Sequence, residues 1–231
     1  MKTRKWFLLL ATAITASLTL NSCLDDDNET NDVTYPNALV TLKTSQSKGF
    51  YLQLDDSTIV IPTNIKTSPY GKREIRALAN FSLDKNQSGH YAKSAYINWI
   101  DTILTKNMVA DMGEQNATVY GNDPIELVND WTTLVEDDYL TLRFRTYFGG
   151  SAKHVLNLVK TDSLYVVELH HNAQGDLSGT IHDGLVAFSL ADLPDTGGKT
   201  VDLTVKWRSF SGEKSVKFKY HSRKSAEEGK E

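Results

Sequence analysis

The strongest constraint on this chain is a side-chain period of two that begins near Asn37 and runs almost to the end. Val40, Leu42 and Thr44 alternate with Leu39, Thr41 and Lys43, and Phe50, Leu52 and Leu54 share one face. Ile75, Ala77, Ala79, Phe81 and Leu83 repeat the habit, as do Ala95, Ile97 and Trp99. Successive residues of a strand point to opposite faces, so such alternation marks strands with one face buried. Ser57 to Pro62 is a further short β-branched run, and Asp55-Asp56 before it reads as a tight turn. Short strands packed this densely predict a small closed barrel, for which an OB-like fold is the natural candidate.

Gly121-Asn122-Asp123-Pro124 is the densest cluster of turn formers and predicts the boundary between two domains. Ile125 to Val135 fits either a short helix or a strand. Beyond it Leu140, Leu142, Phe144 and Phe148 face one way and Thr141, Arg143 and Arg145 the other. Val155 to Val159, then Tyr165, Val167 and Leu169, then Val186, Phe188 and Leu190 add three strands. Val201, Leu203, Val205 and Trp207 pair with Val216, Phe218 and Tyr220 across Ser211-Gly212-Glu213. Many short strands with turn signals between them predict an Ig-like sandwich. The expected fold class is therefore all-β, a small OB-like barrel over 37–121 followed by an Ig-like β-sandwich over 122–221, with a charged tail over 222–231.

The N-terminus carries an address. Lys2, Arg4 and Lys5 precede an uncharged apolar run from Trp6 to Leu20, the layout of a secretory signal. The run is about fifteen residues, short of the roughly twenty that span a bilayer. It ends in Leu20-Asn21-Ser22-Cys23, which resembles a bacterial lipobox. That resemblance implies cleavage after residue 22, with 1–22 as the signal peptide, and lipid on Cys23, fatty acyl chains such as palmitate included, since several chains anchor stably where one does not. Cys23 is the single cysteine, so no intramolecular disulfide supports the fold. Residues 23–36 read as an acidic tether, because like charges repel and resist burial. Asp25, Asp26, Asp27 and Glu29 within it look like the export signal by which some Gram-negative bacteria send lipoproteins to the cell surface. The expected localisation is the cell envelope, lipid-anchored at the outer membrane.

The whole chain carries a net charge of −4 at pH 7, and loss of the basic leader makes the remainder more acidic. With no block of Lys and Arg, nucleic acid is not an expected partner. The expected partners are the membrane, through Cys23, and a surface protein or glycan.

Several motifs carry chemistry in other settings. Leu193-Pro194-Asp195-Thr196-Gly197 spells a sortase sorting signal, but a polar-alternating strand follows where an apolar span should, and a Pro/Gly turn accounts for the residues. His170 and His171, with His154, His182, Asp176 and Asp183, raise a metal site. Adjacent strand residues face opposite ways, so the two histidines do not share one ion, and His171 falls on the apolar side. Asn172 to Asp176 reads as a hairpin turn. Glu136, Asp137 and Asp138 read as a solvated turn rather than an acid/base pair. Tyr51, Tyr70, Tyr91, Tyr96 and Trp99 have the chemistry to stack on sugars, although strand aromatics are more often core. No catalytic residues, metal ligands or cofactor are assigned.

Asp123-Pro124-Ile125-Glu126, Trp131, Glu136-Asp137-Asp138-Tyr139-Leu140-Thr141-Leu142, His171-Asn172-Ala173-Gln174-Gly175-Asp176, Phe188-Ser189-Leu190, Leu193-Pro194-Asp195 and Val205-Lys206-Trp207-Arg208-Ser209-Phe210-Ser211-Gly212 resemble the NigD-like lipoproteins. The resemblance implies an N-terminal OB-type domain and a C-terminal β-sandwich. It implies no catalytic residues and no molecular function; the family's name comes from a bacteriocin locus. Three readings follow: a non-enzymatic surface binding or assembly module, an immunity-type protein, and a hydrolase using His171, Asp176 or the Asp137-Asp138 pair.

Overall fold

The computed structural model describes residues 33–84 and 88–223. The lipid-attachment residue Cys23, the acidic residues Asp25, Asp26, Asp27 and Glu29, and most of the charged tail lie outside them.

The first five strands are β1 (Thr34–Ser45), β2 (Gly49–Gln53), β3 (Ile59–Pro62), β4 (Ile75–Asp84) and β5 (Ala92–Thr102). They close into a barrel in the order β1-β2-β3-β5-β4, with β3 and β5 parallel and the other pairs antiparallel. Closure removes every free edge. Val40, Leu42, Phe50, Leu52, Ala77, Ala79, Phe81, Ala95 and Ile97 fill the interior, the inward sets that the alternation predicts. The Asp55 carboxylate shapes the turn between β2 and β3 by accepting the N–H groups of Ser57 and Thr58 at 2.8 and 2.7 Å.

Trp99 departs from expectation. The alternation groups it with Ala95 and Ile97, yet it faces out. Phe81 pairs with Ile97 and Asn80 with Trp99, so Asn98 is an extra residue on β5. Such a bulge reverses the face of every residue after it, which leaves Trp99 40% exposed and turns Ile100 toward the core.

The remaining strands are β6 (Leu104–Asn107), β7 (Glu126–Val128), β8 (Leu134–Glu136), β9 (Tyr139–Phe148), β10 (Val155–Lys160), β11 (Val166–Asn172), β12 (Thr180–Ser189), β13 (Val201–Ser209) and β14 (Gly212–Tyr220), with one short helix, α1 (Asn116–Tyr120). They form two sheets: β10-β11-β13-β14, and β6-β12-β9-β7 with β8 also on β9. Leu140, Leu142, Leu158, Val167, Val186, Phe188, Leu203 and Val205 pack between them. Gly184 of β12 lies under the Phe144 ring, where an added Cβ would stand 2.4 Å from Cζ.

Two details differ from the sequence reading, the domain boundary and the segment after His171, and the open alternative at Ile125 to Val135 resolves to strands. The boundary falls earlier than residues 121 and 122, since the barrel ends at Thr102 and β6 already pairs with β12 in the sandwich. The turn cluster at 121–124 is internal to the sandwich, where Gly121 packs its Cα against the His171 carbonyl and Asn172. Ile125 to Val135 is two short strands joined by a turn. The segment after His171 is no hairpin, because β11 and β12 belong to different sheets.

The barrel sits on the outer face of the five-stranded sheet. Leu39 and Ile103 meet Ala187, flanked by Leu78, Leu134 and Leu185. Beside this apolar contact lies a polar one. Arg76 is fully buried; it donates to Thr41 at 3.0 Å, to Thr141 at 3.3 Å and to Glu136 at 3.2 Å. Lys43 donates to Asp137 at 2.6 Å.

Candidate functional site

Where the barrel leaves the sheet, two surfaces diverge from the Arg76–Thr141 contact. One is the outer face of β4 and β5, on which Leu78 pairs with Asp101, Asn80 with Trp99 and Ser82 with Tyr96. The other is the outer face of β9 and β12, on which Arg143 pairs with Leu185 and Arg145 with Asp183. Between them lies a cavity of about 570 Å³, lined among others by Asn37, Leu78, Asp101, Leu104, Trp131, Arg143 and Asp183. That volume suits a small organic ligand or part of a chain.

Trp131 stands at this crease, 54% exposed. It rides on the turn between β7 and β8, and that turn is tied on both sides of it. The Asp130 carboxylate accepts the N–H and the hydroxyl of Thr132 at 2.9 and 2.6 Å. The Thr133 hydroxyl donates to the Val128 carbonyl at 2.6 Å and accepts the Arg143 N–H at 3.0 Å. A large apolar side chain is thus held in water by a rigid support. Such preorganisation lowers the entropic cost of binding.

The wall beside it is an ion-pair lattice. Arg143 reaches Asp130 at 2.6 Å and Asp183 at 2.7 Å, and Arg145 reaches Asp183 at 2.6 Å. The Arg145 and Arg143 guanidiniums hold the Asp183 carboxyl down at about 2. The charges neutralise one another and fix each other's geometry. The alternation puts Arg143 and Arg145 on the outer face and marks no role for Trp131. A lone Trp beside Asp and Thr in a turn was the available signal.

The other candidates resolve differently. Glu136, Asp137 and Asp138 are not a solvated turn. Asp137 and Asp138 are the two central residues of the β8–β9 hairpin, both with positive φ (51° and 63°). Asp137 is buried in the seam against Lys43, with Arg223 Nε at 3.3 Å. The Tyr220 hydroxyl donates to Asp138 at 2.8 Å, and burial pushes its pKa up. Tyr139 donates to Glu74 at 3.2 Å and its pKa is pushed up to about 12, first by burial and then by the Glu74 charge.

His171 is buried on the core side, as its register implies, while His170 faces away and bonds through Nδ1 to the Gly121 carbonyl at 2.8 Å. His171 and His154 face one another at 2.9 Å, Asp176 lies 3.4 Å from His154, and the far ring nitrogen of His171 lies 3.3 Å from the Pro124 carbonyl. Asp176 also accepts the N–H groups of Gly149 and Gly150 at 2.9 and 3.1 Å. The chain ends on main-chain groups at both ends, which fits a clamp between loops. Among the described residues no group of three or more His, Cys, Asp or Glu side chains is placed to hold a metal ion. Leu193 to Gly197 is a folded turn, with Leu193 in the sandwich core and Asp195 accepting the Gly197 N–H at 3.0 Å. Tyr91 and Tyr96 are exposed, whereas Tyr51 and Tyr70 are half-buried.

Comparisons with known proteins agree with this architecture. Residues 39–103 match the NigD-like N-terminal OB domain and residues 107–220 the NigD-like C-terminal beta sandwich domain. A Parabacteroides distasonis structure described as toxin-related is similar, at 34% identity and TM-score 0.69 over 82% of this chain and 94% of that one. A NigD-like immunity protein from Bacteroides caccae shares the fold at 18% identity and TM-score 0.58, covering 80% of this chain and 96% of its own. So does a Bacteroides fragilis protein described as a lipoprotein, at 12% identity and TM-score 0.55 over 82% and 99%. No match was found among curated proteins. With both domain models matched in order and a relative above 30% identity across most of its length, the chain belongs to the NigD-like family, a barrel and sandwich that is not a known enzyme family.

Proposed function

We propose that the protein is a lipid-anchored envelope component that binds a partner without transforming it, and that the crease beneath Trp131 is its binding site. The carrying observation is the pinned turn that holds Trp131 in solvent at the mouth of a cavity. Large exposed apolar groups beside fixed polar ones mark binding surfaces in soluble proteins. The anchor rests on the lipobox-like Leu20-Asn21-Ser22-Cys23 and on the lipoprotein described among the structural neighbours. Outer-membrane and surface placement rests on Asp25, Asp26, Asp27 and Glu29.

Anchor and site have separate tests. Cys23→Ser moves the protein from the membrane to the soluble fraction, and external protease digests the wild-type domains on intact cells. Replacing the four acidic residues by Ser leaves the anchor and abolishes that digestion. For the site, a photo-reactive residue at position 131 captures a discrete adduct on intact cells, and the same group at the remote position 119 does not. Equal capture at both positions contradicts the crease reading.

The immunity protein among the neighbours favours a second reading, in which the crease receives a toxin polypeptide. It predicts that deleting the gene sensitises the producing strain to its neighbours.

A further inference from the structure

We infer that the crease takes a neutral oligosaccharide, lying along the outer face of β4 and β5 from Tyr96 past Trp99 and into the cavity against Trp131. This rests on the crease being a binding site and names its ligand class.

Three observations carry it. The first is the bulge at Asn98, which puts Tyr96 and Trp99 on one outward face, 56% and 40% exposed. Without the extra residue Trp99 would point into the barrel. The two rings and Asp101 face Ser82, Asn80 and Leu78 of β4 in turn, so they follow one another at two-residue intervals, about 7 Å apart along the strand. That interval is on the scale of a sugar unit. The row leads directly into the cavity that Asp101 and Trp131 line.

The second is how the rings are framed. Asn80 and Ser82 pair with them across the strands, and Asn98 Nδ2 donates to Asn80 Oδ1 at 2.6 Å. A pyranose presents C–H groups on its face and hydroxyls around its rim, so it needs rings flanked by amides and carboxylates. This surface supplies that mixture.

The third is charge. Arg143 and Arg145 are the cations of the wall; Asp130 and Asp183 engage Arg143, and Asp183 engages Arg145. Asp101 adds a carboxylate. The arginine wall offers an anionic chain no unshared cation, and Asp101 would repel it, whereas a neutral chain meets acceptors and donors already oriented.

The test is an array of neutral oligosaccharides, the matching monosaccharides, and sulfated and sialylated chains. It is probed with the full-length protein in a detergent lacking a sugar headgroup. Neutral oligosaccharides should be retained, monosaccharides far less so and anionic chains not at all. Trp99→Ala and Trp131→Ala should each weaken retention about tenfold or more, with melting temperature unchanged because both side chains are exposed. Trp99→Phe should restore most of the loss. Retention of no neutral glycan, preference for anionic chains, or retention indifferent to both alanine variants would overturn the inference. An empty array together with position-specific capture of a protein at position 131 would remove the glycan and leave the binding site standing. Failure of both would remove the site as well.

Discussion

At the residue scale the most consequential side chain is Arg76. Its alternation partners Ala77, Ala79 and Phe81 mark it as outward, and on an isolated barrel it would be solvated. In the folded chain it is fully buried between the two domains, with Thr41, Thr141 and Glu136 as partners. Burial lowers its pKa, and the Glu136 charge works against that shift. Removing one member of a buried pair leaves the other uncompensated, so Arg76→Ala should cost about 3–5 kcal/mol, read as a lower urea midpoint. A loss under about 1 kcal/mol, the size of a surface pair, would mean that water reaches the seam. His171 gives a second prediction. Burial, and then the facing His154, hold its pKa below the ordinary 6.5, while Pro124 and Asp123 pull weakly the other way. The unfolded chain takes up its proton near 6.5 and the folded chain only at lower pH. Between those values the unfolded state holds more protons, so stability rises with pH and is lost on acidification, by at most about 1.4 kcal/mol per pH unit. Urea unfolding from pH 7.5 to 5 should show that slope, and His171→Leu should flatten it. An unchanged slope in the variant would place the titration elsewhere.

At the element scale, the hairpin between β8 and β9 separates conformation from charge. Both central residues have positive φ, which Asn tolerates as well as Asp does. Asp138→Asn keeps an acceptor for the Tyr220 hydroxyl and should change stability by less than about 1 kcal/mol. Asp137→Asn keeps the turn but deprives buried Lys43 of its counter-charge and should cost about 3 kcal/mol or more. Similar losses in the two variants would show that the turn, not the ion pair, governs this hairpin. Strands such as β1, β4, β9 and β13 were legible in the sequence because the core-facing side of each keeps its apolar period of two, whatever covers the other side. Two things escaped it. The bulge at Asn98 breaks the period by one residue with no compositional mark. The seam buries Arg76, Lys43, Thr141 and Asp137 on faces whose polarity reads as solvent-facing. Polar residues that satisfy one another across domains look, in one dimension, like surface.

At the scale of the whole molecule, the crease exists only because the barrel covers part of the five-stranded sheet and leaves the rest bare. Its residues come from β1, β4, β5, β6, the turn before β8, β9 and β12, too scattered for any motif to announce them. The same seam should make the two domains unfold together. Separating them would expose Leu39, Ile103, Leu78, Ala187 and Leu185 and break Lys43–Asp137, Arg76–Glu136 and Arg223–Glu74 at once. Domains joined only by a polar contact commonly melt separately. Here each would lose both an apolar contact and the partners of its buried charges. Scanning calorimetry of the intact chain should therefore give one transition, with van't Hoff and calorimetric enthalpies equal. The sandwich expressed alone from residue 104 should melt at a lower temperature, because the face around Ala187 and Leu185 is then left in water. Two resolved transitions in the intact chain, or a lone sandwich as stable as the whole, would mean that barrel and sandwich are independent bodies. The crease would then not be a fixed site.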